Sequence, residues 1–144
     1  MFNLLAVLLM IFNPGDDIVI KDQWIRPGAE KMATALYFTL ENNGIEADTL
    51  YAVETDIAKM VQIHETYSNG DVMGMREIGK IIIEPGSSVK LEPGGMHIMV
   101  MKLKRDIKTG SSVEFILHFK TAGIIKITTK AKSGRDDYWF AVSK

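Results

Sequence analysis

From residue 18 onward, apolar and polar side chains alternate in short runs, and each run meets a turn signal before it could complete a long element. Residues 18–24 (IVIKDQW) open with β-branched residues and stop at Arg26-Pro27-Gly28. Residues 32–41 (MATALYFTLE) place Leu36, Phe38 and Leu40 on one face and close at Asn42-Asn43-Gly44. Further strands are predicted over 49–53, 58–66, 72–78, 81–83, 88–91, 97–103, 112–119, 124–130 and 138–142. Between them stand Asn69-Gly70, Pro85-Gly86, Pro93-Gly94-Gly95, Thr109-Gly110 and Ser133-Gly134, residue types that supply the backbone angles turns require. No stretch sustains the 3.6-residue period of an amphipathic helix. Many short strands at close spacing predict an all-β sandwich or barrel.

Successive residues of a strand point to opposite faces, so the alternation also sorts side chains. In 58–66, Val61 and Ile63 share one face and Gln62 and His64 the other. Within 97–103, Ile98 and Val100 face one way, leaving His97, Met99 and Met101 together on the opposite side. Similarly, Val72, Gly74 and Ile78 oppose Met73 and Met75. Two histidines and several methionines thereby fall opposite the expected core.

A chain of 144 residues can bury one sizeable core without staples, and residues 16–144 are expected to form a single domain. Seventeen Lys and Arg face 18 Asp and Glu, and the formal charge of −1 offers no basic patch for nucleic acid. The absence of cysteine excludes a disulfide framework, a thiolate metal site and a cysteine nucleophile; it accords with an oxidising compartment. Ahead of the strands, residues 4–12 (LLAVLLMIF) are uninterruptedly apolar and end at Asn13-Pro14-Gly15. That run is too short to span a bilayer and has the length of a signal-peptide core. Residues 1–15 are therefore expected to be an export signal or its remnant, with an ordinary buried apolar segment as the alternative, since no Lys or Arg precedes the run and no clear Ala-x-Ala site follows it.

The candidate chemistry lies in His64, Met73, Met75, Met96, His97, Met99 and Met101. Imidazole binds many late first-row metals, whereas the neutral, polarisable thioether suits Cu(I) and is a poor ligand for hard ions. A His/Met set without thiolate or carboxylate points to copper, chiefly the reduced ion; zinc, calcium and magnesium would recruit other donors. The bland alternative is that methionine, a flexible filler, merely plugs gaps in a sandwich. His118 is the contrast case, since it shares a strand face with Glu114, Ile116 and Lys120 and has no methionine nearby in sequence; it reads as a surface histidine. Ser87, Ser88, Ser111 and Ser112 lie in turn-like sequence without an elbow motif, and Asp16-Asp17 and Asp136-Asp137 read as solvated turns.

The spacing of these residues resembles a known family. His64, Met75, His97 and Met99 reproduce the H-x10-M-x21-H-x-M signature of the periplasmic copper chaperones called PCuAC. Flanking stretches resemble the family as well: DQWIRPGAEKMATALYFTLENNG, IHETYSNGDVMGMREI and EPGSSVKLEPGGMHIMVMKLKRDIKTGSSVEFILHF. The similarity extends over about residues 18–131. It implies a cupredoxin-like Greek-key β-sandwich with a solvent-accessible Cu(I) site near one end. It also selects Met75 over Met73 and Met99 over Met101 as ligands, leaving Met73, Met96 and Met101 as neighbours that shield the ion or contact a partner.

The implied role is non-enzymatic: carrying Cu(I) outside the cytoplasm toward the binuclear copper centre of cytochrome c oxidase, sometimes alongside Sco-type proteins. The competing readings are a copper buffer or tolerance protein and a metal-free β-sandwich whose methionines form a docking patch. An electron-transfer cupredoxin would need the cysteine this chain lacks.

Overall fold

The structure, a computed structural model, describes residues 17–133. Ten strands follow one another: β1 (Ile18–Ile25), β2 (Thr34–Asn42), β3 (Asp48–Glu54), β4 (Ala58–Asn69), β5 (Val72–Glu77), β6 (Ile81–Ile83), β7 (Ser88–Lys90), β8 (Met96–Leu103), β9 (Ser112–Phe119) and β10 (Gly123–Ala131). The expected strands are present with ends displaced by a few residues, most at β4, which runs on to Asn69. The expected strand at 138–142 and the apolar run at 4–12 lie outside the described residues. Among the described residues no helix is long and apolar enough to cross a membrane.

The hydrogen-bonded order is β5-β4-β8-β2-β1-β10-β9-β3-β6, with β7 also paired to β2. Consecutive strands pair directly only as β1–β2, β4–β5 and β9–β10; the other connections lead to strands that are not hydrogen-bonded to each other, β7 and β8 both lying against β2, in the cupredoxin-like Greek-key β-sandwich. β1 joins the layers: it runs antiparallel to β2 and ends parallel to β10, through Trp24↔Lys130 and Ile25↔Ala131.

Alternation builds the core. In β9, Val113, Phe115, Leu117 and Phe119 are buried, and in β4 and β8 Ile63, Ile98 and Val100 meet them from the other layer. At the far end, Asp48 anchors β3 to the β9–β10 turn. Its carboxylate accepts hydrogen bonds from the backbone N–H groups of Thr49 (2.7 Å), Thr121 (2.8 Å) and Ala122 (2.8 Å). Buried Asn42 closes the turn after β2: its amide donates to the carbonyls of Glu46 and Ile83, and its own oxygen accepts from the Gly44 N–H.

One irregularity in β1 decides what surrounds the candidate site. Unbroken alternation would place Trp24 on the same face as Ile18 and Ile20. A register shift between Lys21 and Trp24, where Asp22 has φ 57°, instead turns Ile25 into the core and pairs Trp24 with Tyr37 on the outer face.

Candidate metal centre

β4, β8 and β5 lie side by side, and their register determines which side chains meet. His64 on β4 is directly opposite His97 on β8, Gln62 opposite Met99, and Met60 opposite Met101. On the other flank of β4, Thr66 is opposite Met75 and Ser68 opposite Met73. Directly opposed residues share a face. His64, His97, Met99 and Met75 therefore stand together on the outer surface, Met75 one row from His64 toward the hairpin turn. Met73 is a row further out, beside the turn, and is 71% exposed.

Several devices hold this arrangement. The β4–β5 turn is two residues long, Asn69 pairing with Val72, and Gly70 takes φ 65° there. Tyr67 lies across Gly74, where a Cβ would come within 2.6 Å of the ring, and Arg76 sits 5.3 Å above that ring while pairing with Glu65. Among the described residues the outer edge of β5 has no strand neighbour, so Met75 is carried on an open margin and is 57% exposed.

The two imidazoles approach edge to face, with ring centroids 5.8 Å apart. His64 donates its Nε2–H to the Gln62 side-chain oxygen at 2.8 Å, leaving Nδ1 as the nitrogen with the free lone pair. His97 has the opposite tautomer: Nδ1–H donates to the Gly95 carbonyl at 3.2 Å and Nε2 carries the lone pair. Both lone-pair nitrogens, His64 Nδ1 and His97 Nε2, are buried and without a hydrogen-bond partner. Orphaned buried polar atoms are uncommon in folded proteins; His118 Nε2 and Thr129 Oγ1 share this state, but only His64 and His97 present two such nitrogens on facing rings. A ring whose second N–H is fixed by an oxygen is the usual form of a metal-ligating histidine.

His97 is only 3% exposed despite facing outward, because Tyr37 covers it at a ring separation of 6.4 Å and Trp24 stacks on Tyr37 at 4.7 Å. The site is thus more enclosed on the His97 side than a fully solvent-accessible one. Burial holds the His97 imidazole below the ordinary histidine range; its bond to Gly95 works in the opposite sense, and His64 and Arg26 add electrostatic opposition to a proton. A ring kept neutral keeps its lone pair available.

Met75, His97 and Met99 border one open hollow of about 280 Å³, together with Arg26, Tyr37 and Thr66. A larger hollow of about 510 Å³ near Val53, Ala58 and Ile116 has neither histidine nor methionine in its lining, and two of its charges, Lys126 and Glu114, pair with each other at 3.2 Å. Chemistry, not size, favours the smaller one. Among the described residues no group of three or more His, Cys, Asp or Glu could hold a metal.

The other sulfur atoms divide. Met96 packs against the hydrophobic core instead of surrounding the candidate site, since its neighbour His97 takes the outer face. Met101 stays on the outer face, opposite Met60, whose place there sequence reasoning did not single out. Gln62, Tyr37, Trp24 and Arg26 were likewise not anticipated as parts of the surround. His118 is not simply a surface residue: its side chain is 19% exposed and its Nε2 lies 3.2 Å from the Glu54 carboxylate.

Comparison with known proteins agrees with this architecture. Residues 18–131 match the model of the LpqE-like family, whose description is that of a lipoprotein. The chain belongs to the LpqE-like family. A relative from Leifsonia xyli subsp. xyli named as a lipoprotein, Lxx21020, is 26% identical over 118 residues, covering 81% of this chain and 70% of its own length. Protein RP573 of Rickettsia prowazekii is 27% identical over 101 residues, and the matched region spans 56% of its length. Among solved structures, a copper-bound PCuAC domain from PmoF2 superposes with a TM-score of 0.68 at 24% identity, covering 81% of this chain and 93% of that one. The solution structure of CuI-DR1885 from Deinococcus radiodurans gives 0.64 at 24% identity over 85% of each chain. This LpqE-like chain therefore has the PCuAC fold.

Proposed function

We propose that this protein is an extracytoplasmic Cu(I) metallochaperone that binds its cargo through His64, Met75, His97 and Met99. The observation that carries the reading is the pair of buried, partnerless nitrogens, His64 Nδ1 and His97 Nε2, on adjacent rings beside Met99 and Met75. Two neutral imidazoles and two neutral thioethers leave the ion its own single charge, which favours Cu(I) over divalent ions. Copper in the PmoF2 domain and Cu(I) in the Deinococcus protein support the same cargo. Membership of a family described as a lipoprotein supports a location outside the cytoplasm, periplasmic or otherwise extracytoplasmic.

The half-exposed Met75 gives the site a donor that an incoming acceptor can replace before the buried His97 releases. Exchange by stepwise ligand replacement suits delivery rather than storage. The acceptor assigned here is the binuclear copper centre of cytochrome c oxidase, with Sco-type proteins acting alongside. The role requires no catalysis.

Anaerobic titration with Cu(I) against a competing chelator tests the assignment. One ion per chain is expected, with both nitrogen and sulfur neighbours by X-ray absorption. Met99→Leu should weaken binding, whereas Met96→Leu should leave it unchanged because Met96 packs on the core side. Full affinity in a His64→Ala, Met75→Ala double variant would sink the ligand set. Mixing the loaded protein with an apo copper subunit of the oxidase separates a courier, which transfers the ion, from a buffer, which retains it.

A further inference from the structure

A cation stands where a cation-binding site would be expected to avoid one. Arg26, the residue after β1, lines the same hollow as Met75, His97 and Met99. Its backbone is clamped to β2: its N–H donates to the Ala35 carbonyl at 3.1 Å, and its carbonyl accepts from the Thr34 hydroxyl at 2.8 Å. Its guanidinium carbon lies 5.4 Å from the Tyr37 ring centre and 6.0 Å from that of Trp24, and Tyr37 in turn lies against His97. Among the described residues no carboxylate forms an ion pair with Arg26; the five ion pairs they make involve other residues. Among the described residues, the charge is therefore held by backbone and stacking and meets no ion-pair partner.

Resting on the copper reading above, we propose that Arg26 is a specificity-determining residue that selects ion valence: its standing positive charge disfavours a divalent ion in the hollow more than it disfavours Cu(I). The electrostatic cost of placing an ion near a fixed charge is proportional to the ion's own charge. If Arg26 weakens Cu(I) binding by a factor f, it weakens Cu(II) binding by f². Arg26 is exposed on its solvent side, so screening keeps f small, on the order of two to four, the size expected for unit charges roughly 10 Å apart in a largely aqueous dielectric. Selectivity for the monovalent ion then gains one further factor of f, added to that from the soft ligands.

The test compares wild type with Arg26→Gln and Arg26→Lys in competition titrations at pH 8 and low salt, with Cu(I) under anaerobic conditions and with Cu(II). Arg26→Gln should tighten Cu(I) by roughly two- to fourfold and Cu(II) by the square of the same factor, about four- to sixteenfold, and added salt should shrink both differences. Arg26→Lys, which keeps the charge, should keep the wild-type ratio of the two affinities. Should the glutamine variant fail to fold, Arg26→Ala removes the same charge. Equal factors for the two ions, or a fall in both affinities, would mean that Arg26 only packs the wall and would overturn the proposal while leaving the copper reading intact. A wild-type protein that binds no Cu(I) would overturn both.

Discussion

Gln62 touches no ion in the proposed scheme, yet it decides which nitrogen His64 presents. Its side-chain oxygen takes the Nε2–H at 2.8 Å, and His64 Nδ1 is left buried with its lone pair unpartnered. Replacing it by leucine keeps a side chain of similar reach but removes the acceptor. A neutral hydrogen bond of this kind contributes about 0.5–1.5 kcal/mol, which corresponds to roughly a two- to twelvefold change in affinity. Groups that orient metal-bound histidines typically contribute about 10–100-fold. The ranges overlap near tenfold, and the half-buried setting of Gln62 places the expectation there, because water can partly replace the lost oxygen.

Gln62→Leu should therefore weaken Cu(I) binding about tenfold in a competition titration, and Gln62→Glu, which retains an acceptor, should not. Nitrogen NMR of the copper-free wild type at pH 8 should show His64 protonated on Nε2, and the leucine variant should lose that preference. Wild-type affinity in Gln62→Leu would refute the orienting role. Equal losses in both variants would refute it as well, because the fault would then lie in packing against Met99, the cross-strand neighbour of Gln62.

Further outcomes follow from groups whose burial is plain. His97 binds a proton less readily in the fold than in the unfolded chain, so the unfolded state takes up more protons as pH falls below the ordinary histidine value of about 6.5. Stability of the copper-free protein should be fully present above that value and decline as pH drops through it toward the lowered folded-state value; in urea melts, His97→Gln should flatten this dependence, and an unchanged slope would contradict it. Asp48→Ala strips three backbone N–H groups of their carboxylate and should cost roughly 3 kcal/mol by urea unfolding, with Cu(I) affinity retained in the folded fraction; a cost below about 1 kcal/mol would contradict the anchoring role.

Most strands were legible because apolar and polar residues alternate in short runs, many of them closed by Gly, Pro or Asn. The faces of His64, His97 and Met99 were legible for the same reason, since β4 and β8 alternate cleanly through Ile63, Ile98 and Val100. Trp24 was not legible in this way. A single residue, Asp22, adopts a left-handed backbone and reverses every face after it, and nothing in IVIKDQW announces that change. Nor could alternation reveal that His97, though outward, would be roofed by Tyr37; β2 and β8 become neighbours only through the Greek-key order. Gln62 was placed on the right face, but its bond to His64 depends on side-chain angles that sequence patterns do not encode.

The opposite tautomers of the two histidines give the pair unequal arms. On imidazole, Nδ1 sits close to the backbone and Nε2 at the far end of the ring, so His64 offers a short reach and His97 a long one. An ion held by both would sit off the midline between their strands, displaced toward β4 and hence toward the margin where β5 carries Met75. In the proposed ligand set, that asymmetry would give the cargo a leading side and a trailing side. The ion would leave past the edge strand, with the long arm of His97 the last to let go.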